Sequence, residues 1–475
     1  MINKTECIQK ELEFQELGRR KVTGKFEGGT ITSDAGGLLL REIDAANQYI
    51  KDFAKCFKDY RDKKKIEHKI EELLAQRIFG ICLGYEDVID HDELRKDPLF
   101  ATICGKTDPE GKDRNLKRDK GKALAGKSTI NRVEYSATHL EEPTRYKKIL
   151  YDEKMIDNYF IEKFIQSRED DKPECLILDI DATDDPLHGH QQGRFFHGYY
   201  DCYCYLPLYI FCGEDLLSVK LRTANLDPGN EALPDIRRVV KRLKEKWPEV
   251  KIILRGDSGF CREHIMSWCE QEGIFYLFGM SKNNRLYKRI EKELTLVKKI
   301  YKKTSKTNRK YKDFTYRTLK SWRRRRRVIG KAEYGFKGEN PRFIVTNLGK
   351  DEYSAQELYE DVYCTRGDME NRIKEQQLFL FADRTSCAML AANRLRLYFA
   401  SVAYVIMNEL RKNGLCGTEL SRAQCSTIRL KLLKIGAVIT VSVRRVFVNF
   451  SSAYPYKNIF YQVLSKLNKT YPLLN

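Results

Sequence analysis

Three acidic residues occupy positions from which they could act together on one substrate. Asp181 ends the apolar run of residues 175–181, and Asp257 ends a second such run, residues 251–257. Glu370 lies near the start of a helical pattern. Because the ends of two strands and a helix can converge on one point, the three carboxylates could hold two divalent cations, which prefer oxygen ligands and leave positions open for phosphate and water. The chemistry predicted for such a site is displacement at a phosphodiester.

Each of these acids also has a simpler interpretation. A carboxylate at the end of a strand often caps the turn that follows, and Asp257 could cap the helix predicted near Arg262. Asp179 faces the same side of its strand as Asp181, because strand side chains alternate with period two, so either residue could bind metal. We predict Asp181, since it is followed by the polar residues 183–185.

The helix that carries Glu370 presents an unusual stripe of side chains. Tyr363, Arg366, Glu370, Lys374 and Gln377 recur at helical spacing and would share one face. A stripe of ring, cation, acid, cation and amide is not a core face. It could be a solvated face with an Arg366–Glu370 pair. We predict instead that Glu370 binds metal while Arg366 and Lys374 hold phosphates.

The charge of the chain predicts a polyanionic partner. Its 475 residues include 87 Lys and Arg against 67 Asp and Glu, a formal net charge of +20. Such an excess favours nucleic acid or an anionic membrane as the partner. The apolar stretch 397–407 is too short to span a bilayer, and residues 1–10 contain no apolar signal core. We therefore predict a soluble, cytoplasmic protein that binds DNA and no membrane.

Most of the excess positive charge lies in one segment. Residues 282–331 hold 21 Lys or Arg and three acids, with aromatic residues between the bases. We predict that Arg323, Arg324, Arg325, Arg326 and Arg327 contact DNA phosphates and that Trp322 could stack on a base. The alternatives are a solvated arginine run and a core tryptophan. Residues 314–334 alternate enough to predict a β-hairpin.

The cysteines and histidines give little evidence of a metal site. The 14 cysteines are scattered, which is typical of reduced thiols in a cytosolic protein. Five possible zinc ligands fall close together, namely His188, His190, His197, Cys202 and Cys204. Because no Cys-x-x-Cys pair occurs there and the cysteines lie in a strand-like run, we favour a strand over a zinc site.

The order of predicted elements indicates an α/β fold. From residue 175 the pattern is three neighbouring strands (175–181, 202–211 and 216–221), a helix from 227 to 246, a strand, a helix and a strand. This order fits a ribonuclease-H-like mixed sheet flanked by helices. The predicted regions are a mainly helical N-terminal DNA-binding region (1–168), a first catalytic part (169–281), a basic β-rich insertion (282–341), a second catalytic part with the Glu helix (342–412) and a C-terminal region (413–475).

Several motifs together resemble a known family. Tyr363-x-x-Arg366-x-x-x-Glu370 is similar to the signature of DDE transposases of bacterial insertion sequences, although Gln377 stands where those families usually have Lys. The stretches 179–189, 198–200, 205–209, 255–260, 391–396 and 429–436, together with 33–40, resemble the DDE domain group 1 transposases in particular. The resemblance covers nearly the whole chain.

The resemblance implies a function and a set of partners. It maps the catalytic triad, and the ligands of two Mg²⁺ or Mn²⁺ ions, onto Asp181, Asp257 and Glu370. It implies cut-and-paste transposition, with cleavage at the terminal inverted repeats of the element, transfer to target DNA, and a homodimer in the DNA complex. In a bacterial cell the DNA-bound protein would be associated with the nucleoid. Two rival functions stay open, a domesticated DNA-binding protein without cleavage activity and another metal-dependent nuclease on the same fold.

Overall fold

The computed structural model describes residues 11–138, 148–229 and 231–471. The described residues form two units. The first unit is built from residues in 1–47, 65–130 and 409–475, and the second from residues in 48–64 and 131–408. All of the site residues predicted from the sequence belong to the second unit.

The elements alternate between short strands and helices. The strands are β1 (Leu12–Leu17), β2 (Arg20–Gly24), β3 (Ile31–Thr32), β4 (Phe57–Asp59), β5 (Ile149–Tyr151), β6 (Cys175–Ala182), β7 (Asp185–Pro186), β8 (Phe195–His197), β9 (Cys202–Tyr205), β10 (Leu208–Cys212), β11 (Asp215–Lys220), β12 (Lys251–Gly256), β13 (Phe275–Met280), β14 (Asn308–Tyr316), β15 (Arg326–Gly335), β16 (Gly338–Glu339), β17 (Arg342–Thr346), β18 (Ala437–Val441) and β19 (Val446–Phe450). The α-helices are α1 (Leu38–Asn47), α2 (Tyr49–Ala54), α3 (Ile70–Leu83), α4 (His91–Leu94), α5 (Pro98–Ile103), α6 (Lys127–Glu134), α7 (Glu153–Gln166), α8 (Leu233–Lys246), α9 (Glu263–Gln271), α10 (Asn284–Arg289), α11 (Glu291–Thr304), α12 (Ala355–Glu357), α13 (Gly367–Leu380), α14 (Leu390–Glu409), α15 (Cys425–Ile428) and α16 (Lys457–Thr470).

The second unit is built around one mixed sheet of nine strands. Its order is β11-β10-β6-β12-β13-β17-β15-β14, and β16 pairs with β15 outside this path. Strands β6, β12 and β13 are parallel to one another. The strands on both sides of this group are antiparallel to their neighbours. The chain therefore has the large mixed sheet with helices that the strand and helix patterns predicted.

The period-two alternation of the strands separates a core face from a site face. On the core face, the strand residues that alternate with the acids, such as Leu178, Leu254 and Phe278, pack in one apolar cluster with residues of α7, α8 and α9. On the opposite face, Ile253 and Leu277 pack with residues of the segment that leads into α13. The acids of β6 lie on this second face.

Two predicted elements require correction. The apolar run 202–211 is two strands, β9 and β10, which belong to different sheets. Pro207 lies between them, and a proline has no N–H with which to continue a strand ladder. The helix predicted from Asp227 begins only at Leu233, because Asp227 instead accepts a hydrogen bond from Gly229 N at 3.0 Å in a turn. The remaining predicted strands of the sheet are confirmed to within one or two residues.

The basic segment differs from a β-rich insertion. It begins with two helices, α10 and α11, in which Leu286, Leu294 and Val297 are buried in the core cluster. The predicted hairpin is present as β14 and β15, but it extends the main sheet because β17 pairs with both β13 and β15. A helix pattern was missed in residues 291–304 because the many lysines obscured its apolar positions.

The N-terminal region is helical as predicted, with short strands in addition. It contains α1 to α7 together with β1 to β5. In the first unit, α3 is buried along most of its length, and Gln76 is hydrogen-bonded to Ala125 O at 2.8 Å. Strand β18 joins β3 to β19 in a three-stranded sheet. Within the described ranges, no helix has both the length and the apolar character needed to cross a membrane. The boundaries of the predicted regions stay predictions.

Candidate active site

The two aspartates lie at the ends of neighbouring parallel strands. Gly256 is paired in register with Ile180, so Asp257 and Asp181 follow side by side. Each carboxylate makes the turn contact that its position predicts. Asp181 Oδ1 accepts a hydrogen bond from Ala182 N at 2.9 Å, and Asp257 Oδ1 accepts one from Gly259 N at 2.8 Å. Asp257 does not cap α9, whose first residues receive no side-chain cap. In both residues the turn contact involves Oδ1.

Glu370 reaches the site from an irregular helix. Ser354 and Glu357 form a capping box at the start of α12. The chain then continues as a π turn over Leu358–Tyr363 and a 3-10 turn over Cys364–Arg366 before α13 begins at Gly367. π turns inside helices often occur at functional sites, because the extra residue re-aims the side chains that follow.

Arg366 lies between two of the three acids. Its Nη1 atom is 3.2 Å from Asp181 Oδ2, and its Nη2 atom is 2.9 Å from Glu370 Oε1. The predicted Arg366–Glu370 pair is therefore present, but it also includes the acid at the end of β6. Lys374 is exposed one turn further along α13. A single guanidinium thus partly neutralises the cluster of carboxylates.

Asp179 has a different environment from Asp181. It is buried, and both of its carboxylate oxygens accept hydrogen bonds from Arg255 on β12. The Nη1 atom of Arg255 also donates to Val362 O and to Thr365 Oγ1. Arg255 therefore links the two strands that carry the aspartates to the segment that carries Arg366 and Glu370. Arg255 and Thr365 were missed in the sequence, where the available signal was an arginine inside an otherwise apolar strand.

The site face of β13 is shaped to receive Tyr363. A Cβ atom at Gly279 would lie 2.5 Å from the Tyr363 hydroxyl, so any side chain at this position would displace the ring. Burial raises the pKa of Tyr363, which keeps the phenol protonated and able to donate a hydrogen bond. The predicted stripe of side chains is thus positioned by both the sheet and the helix.

The three acids and Arg366 line one cavity of about 680 Å³, whereas Tyr363 is not among the residues of its wall. Asp181, Asp257 and Glu370 lie in its wall together with the cations Arg366 and Lys374. Arg262 also lines the cavity, but it forms an ion pair with Asp227, a fourth acid of the wall, at 2.6 Å. Burial is the main cause that raises the pKa of Asp181, to about 7. Arg366 opposes this shift, whereas the charges of Asp257 and Glu370 reinforce it. Mutual repulsion among the three acids therefore favours either a proton or a cation at Asp181.

Gln377 also lines the cavity, at the position where a lysine was expected. Its Nε2 atom donates to Asp184 O at 3.0 Å and to Asp185 Oδ1 at 2.9 Å. Asp185 is fully buried, and burial raises its pKa to about 8 in spite of this hydrogen bond. The Gln377 amide group is therefore used to hold the loop that follows Asp181, so its Nε2 atom is not free to bind a phosphate.

The donor set suits a hard divalent cation, although the carboxylates are not gathered around one point. Among residues 11–138, 148–229 and 231–471, no group of three His, Cys, Asp or Glu side chains is arranged to hold a metal ion. The preference for a strand over a zinc site at His188, His190, His197, Cys202 and Cys204 stays a prediction. At the acids, Arg366 takes the place between Asp181 and Glu370 that a cation would fill. Carboxylate oxygens that already hold one cation are suitable ligands for another.

The structure divides the predicted DNA-contact residues into two sets. Trp322 is buried against Tyr316, with ring centroids 6.0 Å apart. The Arg326 side chain is only 2% exposed and forms ion pairs with Glu263 at 2.6 Å and Glu270 at 2.7 Å. Both residues have structural roles, which corrects the prediction that they contact DNA, because neither can reach a ligand without unpacking the core.

The other arginines of the run differ in their exposure and in their ion pairs. Arg327 is held by Asp313 at 2.8 Å and by the carbonyl oxygens of Leu348 and Gly349. Arg323, Arg324 and Arg325 are exposed. Arg324 lies 3.2 Å from Glu270, and its side chain is 57% exposed, so that pair is easily broken. Three of the five arginines therefore remain candidates for phosphate contact.

Comparison with known proteins identifies the family. Residues 14–472 match the family model described as transposase DDE domain group 1. The chain belongs to this family. No curated protein matches it. Among solved structures, this transposase is similar to the piggyBac transposase synaptic complex with hairpin DNA, at 11% identity and a TM-score of 0.36, over 85% of this chain and 80% of that chain. The family match spans both units of the transposase and includes all of the site residues described above.

Proposed function

We propose that this transposase cuts DNA at the ends of a bacterial insertion sequence and joins the freed 3′ ends to target DNA. The observation that carries the proposal is that Asp181, Asp257 and Glu370 line one cavity in a member of the transposase DDE domain group 1 family. These carboxylates, with Arg366 and Lys374 beside them, suit the two needs of phosphoryl transfer, which are metal ligation and the positioning of phosphates.

We infer a ribonuclease-H-like catalytic core for this chemistry. The strand order β11-β10-β6-β12-β13 supports it, because three antiparallel strands precede two that are parallel to the first. Asp181 lies at the end of the central strand of this group, and Asp257 follows its parallel neighbour. Ligands of open α/β sheets commonly bind at the carboxyl ends of such strands.

The carboxylates would hold two Mg²⁺ or Mn²⁺ ions. When bound, such ions lower the pKa of a water or a 3′-hydroxyl and neutralise charge on the phosphate. Asp181 would be fully ionised next to a cation, so its proton would leave the site. Arg366 would release Asp181 and Glu370 and become free to contact a phosphate oxygen. Lys374 would hold a second phosphate from the next turn of α13.

The remaining partners follow from the same proposal. The exposed Arg323, Arg324 and Arg325 would contact the DNA backbone outside the cavity. The substrates would be the terminal inverted repeats of the element and a target duplex. Each DNA complex would contain a homodimer, since two ends must be cut and joined to one target.

The test of the proposal is cleavage of DNA that carries the inverted repeats found beside the gene. We expect Asp181→Asn, Asp257→Asn and Glu370→Gln each to lower the rate by about 10³-fold or more, because each change removes an anionic metal ligand worth several kcal/mol in the transition state. DNA binding should change little, since the volume of each side chain is kept. Asp351→Asn, at an exposed acid outside the cavity, is the matched control.

The possible results separate the rival functions. Full cleavage by all three variants would disprove the assignment of the site. Sequence-specific binding by a parent protein that never cuts in Mg²⁺ or Mn²⁺ would favour the domesticated DNA-binding protein. Cutting without any preference for the repeats would favour another nuclease. Loss of all activity in chelator is expected under the proposal.

A further inference from the structure

The hairpin of β8 and β9 is unusually rich in exposed aromatic side chains. Within residues 194–205, here called the aromatic hairpin, Tyr199 is 85% exposed, Phe196 53%, Tyr203 44% and Phe195 41%. Large aromatic side chains usually contribute strongly to stability by being buried in the core. A group of exposed aromatic side chains therefore often marks a binding surface. The hairpin therefore presents an apolar surface that needs a partner.

The aromatic hairpin holds these rings in fixed positions. Phe196 is paired in register with Tyr203, and their rings meet edge to face with centroids 5.5 Å apart. The guanidinium of Arg194 lies 3.9 Å from the centre of the Tyr203 ring and donates to Gly189 O at 2.5 Å. Strand β9 is anchored on its other edge by β7. The ring of Tyr199, at the turn of the hairpin, meets the Tyr200 ring edge to face with centroids 5.0 Å apart. These contacts preorganise the rings, which lowers the cost of ordering them when a ligand stacks.

The tip of the hairpin reaches the candidate active site. His197, Tyr199 and Tyr200 line the cavity that contains Asp181, Asp257 and Glu370. The hydroxyl of Tyr200 is 3.4 Å from Ala182 O, which follows directly after Asp181. His197 Nδ1 is buried and makes no hydrogen bond to any described residue. The exposed ring of Tyr199 thus stands at the edge of a cavity suited to phosphate chemistry.

The partner of this surface can be deduced from what surrounds it. The cavity beside Tyr199 is where the proposed function places a DNA phosphate, next to Arg366 and Lys374, so a ligand that touches both regions must combine a phosphate with a flat apolar group. A nucleotide combines a phosphate with a base, and base stacking on aromatic rings is tolerant of sequence. Trp322, the aromatic residue that the sequence suggested for stacking, is buried and cannot serve.

We propose that the aromatic hairpin is a base-stacking subsite, in which Tyr199 holds an unpaired base of the DNA strand whose phosphate lies at the three acids. The inference rests on the proposed function in one respect, the identity of the ligand as DNA. The stacking itself can be tested without the proposed cleavage reaction, because it requires neither metal nor cleavage.

The experiment measures binding of the full-length protein to an oligonucleotide that contains 2-aminopurine, in chelator so that no cleavage occurs. We expect quenching of the 2-aminopurine fluorescence by the parent protein when the base is unpaired. Tyr199→Ala should weaken affinity for the single strand by about 5- to 150-fold and abolish the quenching, whereas affinity for duplex DNA should stay unchanged. Tyr199→Phe should behave as the parent, since it keeps the ring.

The control is Tyr60→Ala, which removes another exposed tyrosine of the same unit, 53% exposed and outside the cavity. It should leave affinity and quenching unchanged. Circular dichroism should show that each variant is folded, as expected for side chains on the surface. Phe196→Ala provides a second variant on the outer face of the hairpin, where a smaller reduction of single-strand affinity is expected.

Each result decides the inference separately from the proposed function. Equal single-strand affinity and equal quenching in the parent and Tyr199→Ala overturn the stacking subsite, even where the parent cuts its repeats. A parent that never cuts, but whose single-strand affinity falls in Tyr199→Ala, keeps the subsite and removes the transposition proposal. A change from dimer to monomer in Tyr199→Ala without DNA, with single-strand affinity unchanged, would identify the hairpin as a protein interface and overturn the inference.

Discussion

At the scale of single residues, Arg366 is the internal counter-ion of the site. It bridges Asp181 and Glu370 at 3.2 and 2.9 Å, so a divalent cation bound as we propose would compete with it for the same oxygens. In DNA-free protein, we expect Arg366→Gln to bind Mn²⁺ more tightly by roughly 10-fold, about 1.4 kcal/mol. Titration calorimetry measures this affinity.

Lys374→Gln is the matched control for this prediction, because Lys374 lines the same cavity from the same helix and forms no ion pair with any described residue. Its Mn²⁺ affinity should equal that of the parent. The two variants should also separate cation binding from DNA cleavage, since Arg366→Gln is expected to cut slowly in spite of its tighter metal. Equal Mn²⁺ affinities in Arg366→Gln and the parent would mean that Arg366 does not restrain the carboxylates.

Asp181 makes the stability of the metal-free protein depend on pH. Its pKa is raised from 3.8 to about 7, chiefly by burial, so between these values the folded protein binds a proton that the unfolded chain has released. The free energy of unfolding should therefore fall as the pH rises from about 4 to 7. Asp185 is shifted in the same direction, to about 8, so its contribution must be separated from that of Asp181.

The comparison of Asp181→Asn with the parent separates the two. In chelator at pH 8, Asp181→Asn should be more stable than the parent by on the order of 2 kcal/mol, because it removes a buried charge surrounded by like charges. At pH 5, near the start of the range over which this penalty develops, the difference should be clearly smaller. Urea denaturation at both pH values measures the difference, and a parent with the same pH dependence as Asp181→Asn would show that the carboxylate is not perturbed.

At the scale of secondary-structure elements, the pair of Asp179 and Arg255 joins the sheet to the Glu370 helix. Both side chains are buried, and Arg255 also binds Val362 O and Thr365 Oγ1. Asp179→Asn should destabilise the protein by about 3–5 kcal/mol, because it leaves a buried guanidinium without its counter-charge. At pH 8, Asp179→Asn should therefore lower the urea denaturation midpoint, whereas Asp181→Asn, on the same strand, should raise it.

This pair also shows where the sequence was informative and where it was not. The period-two pattern located Asp181 and Asp257 at strand ends, since apolar runs of strand length are local signals. The pattern could not show which of Asp179 and Asp181 is held in a buried ion pair, because the partner that distinguishes them, Arg255, lies on another strand. An arginine in an apolar run signals that a partner exists but does not identify it.

The elements that the sequence described poorly depend on tertiary context. The segment 358–366 follows helical periodicity, yet it is wound as π and 3-10 turns, and its Tyr363 lies over Gly279. Gln377 looked like a changed phosphate contact and instead binds the loop of Asp184 and Asp185. Local patterns predict that such residues matter, whereas their partners are set by contacts distant in sequence.

At the scale of the whole molecule, part of the positive charge behind the net +20 is paired with acids and is not free to bind DNA phosphates. Several bases of the segment 282–331 are paired with acids, among them Arg326 with Glu263, Arg327 with Asp313 and Lys312 with Glu293. The acids come partly from outside the segment, so counting charges within it overestimated the free positive charge. Arg323, Arg324 and Arg325 are exposed, as are many other bases of the segment, such as Lys302 and Arg317.

The salt dependence of DNA binding tests this division. Replacing Arg323, Arg324 and Arg325 by Ala should weaken binding on every sequence and flatten the slope of log affinity against log salt by roughly 0.9 for each DNA phosphate that the variant no longer neutralises. Replacing the same three residues by Lys should keep the slope, since the charge is kept. An unchanged slope in the Ala variant would show that the run is only solvated.

The position of β17 in the sheet constrains the order in which the chain can fold during synthesis. The chain leaves the sheet after Met280, and β17, which begins at Arg342, is the strand that covers the open edge of β13. The hairpin of β14 and β15 can close earlier, but it has no strand to pair with until β17 lies between β13 and β15. A nascent chain released before Thr346 therefore exposes two unpaired strand edges at once, and unpaired edges template aggregation. The last strand of this sheet to leave the ribosome is thus the one that protects it from aggregation.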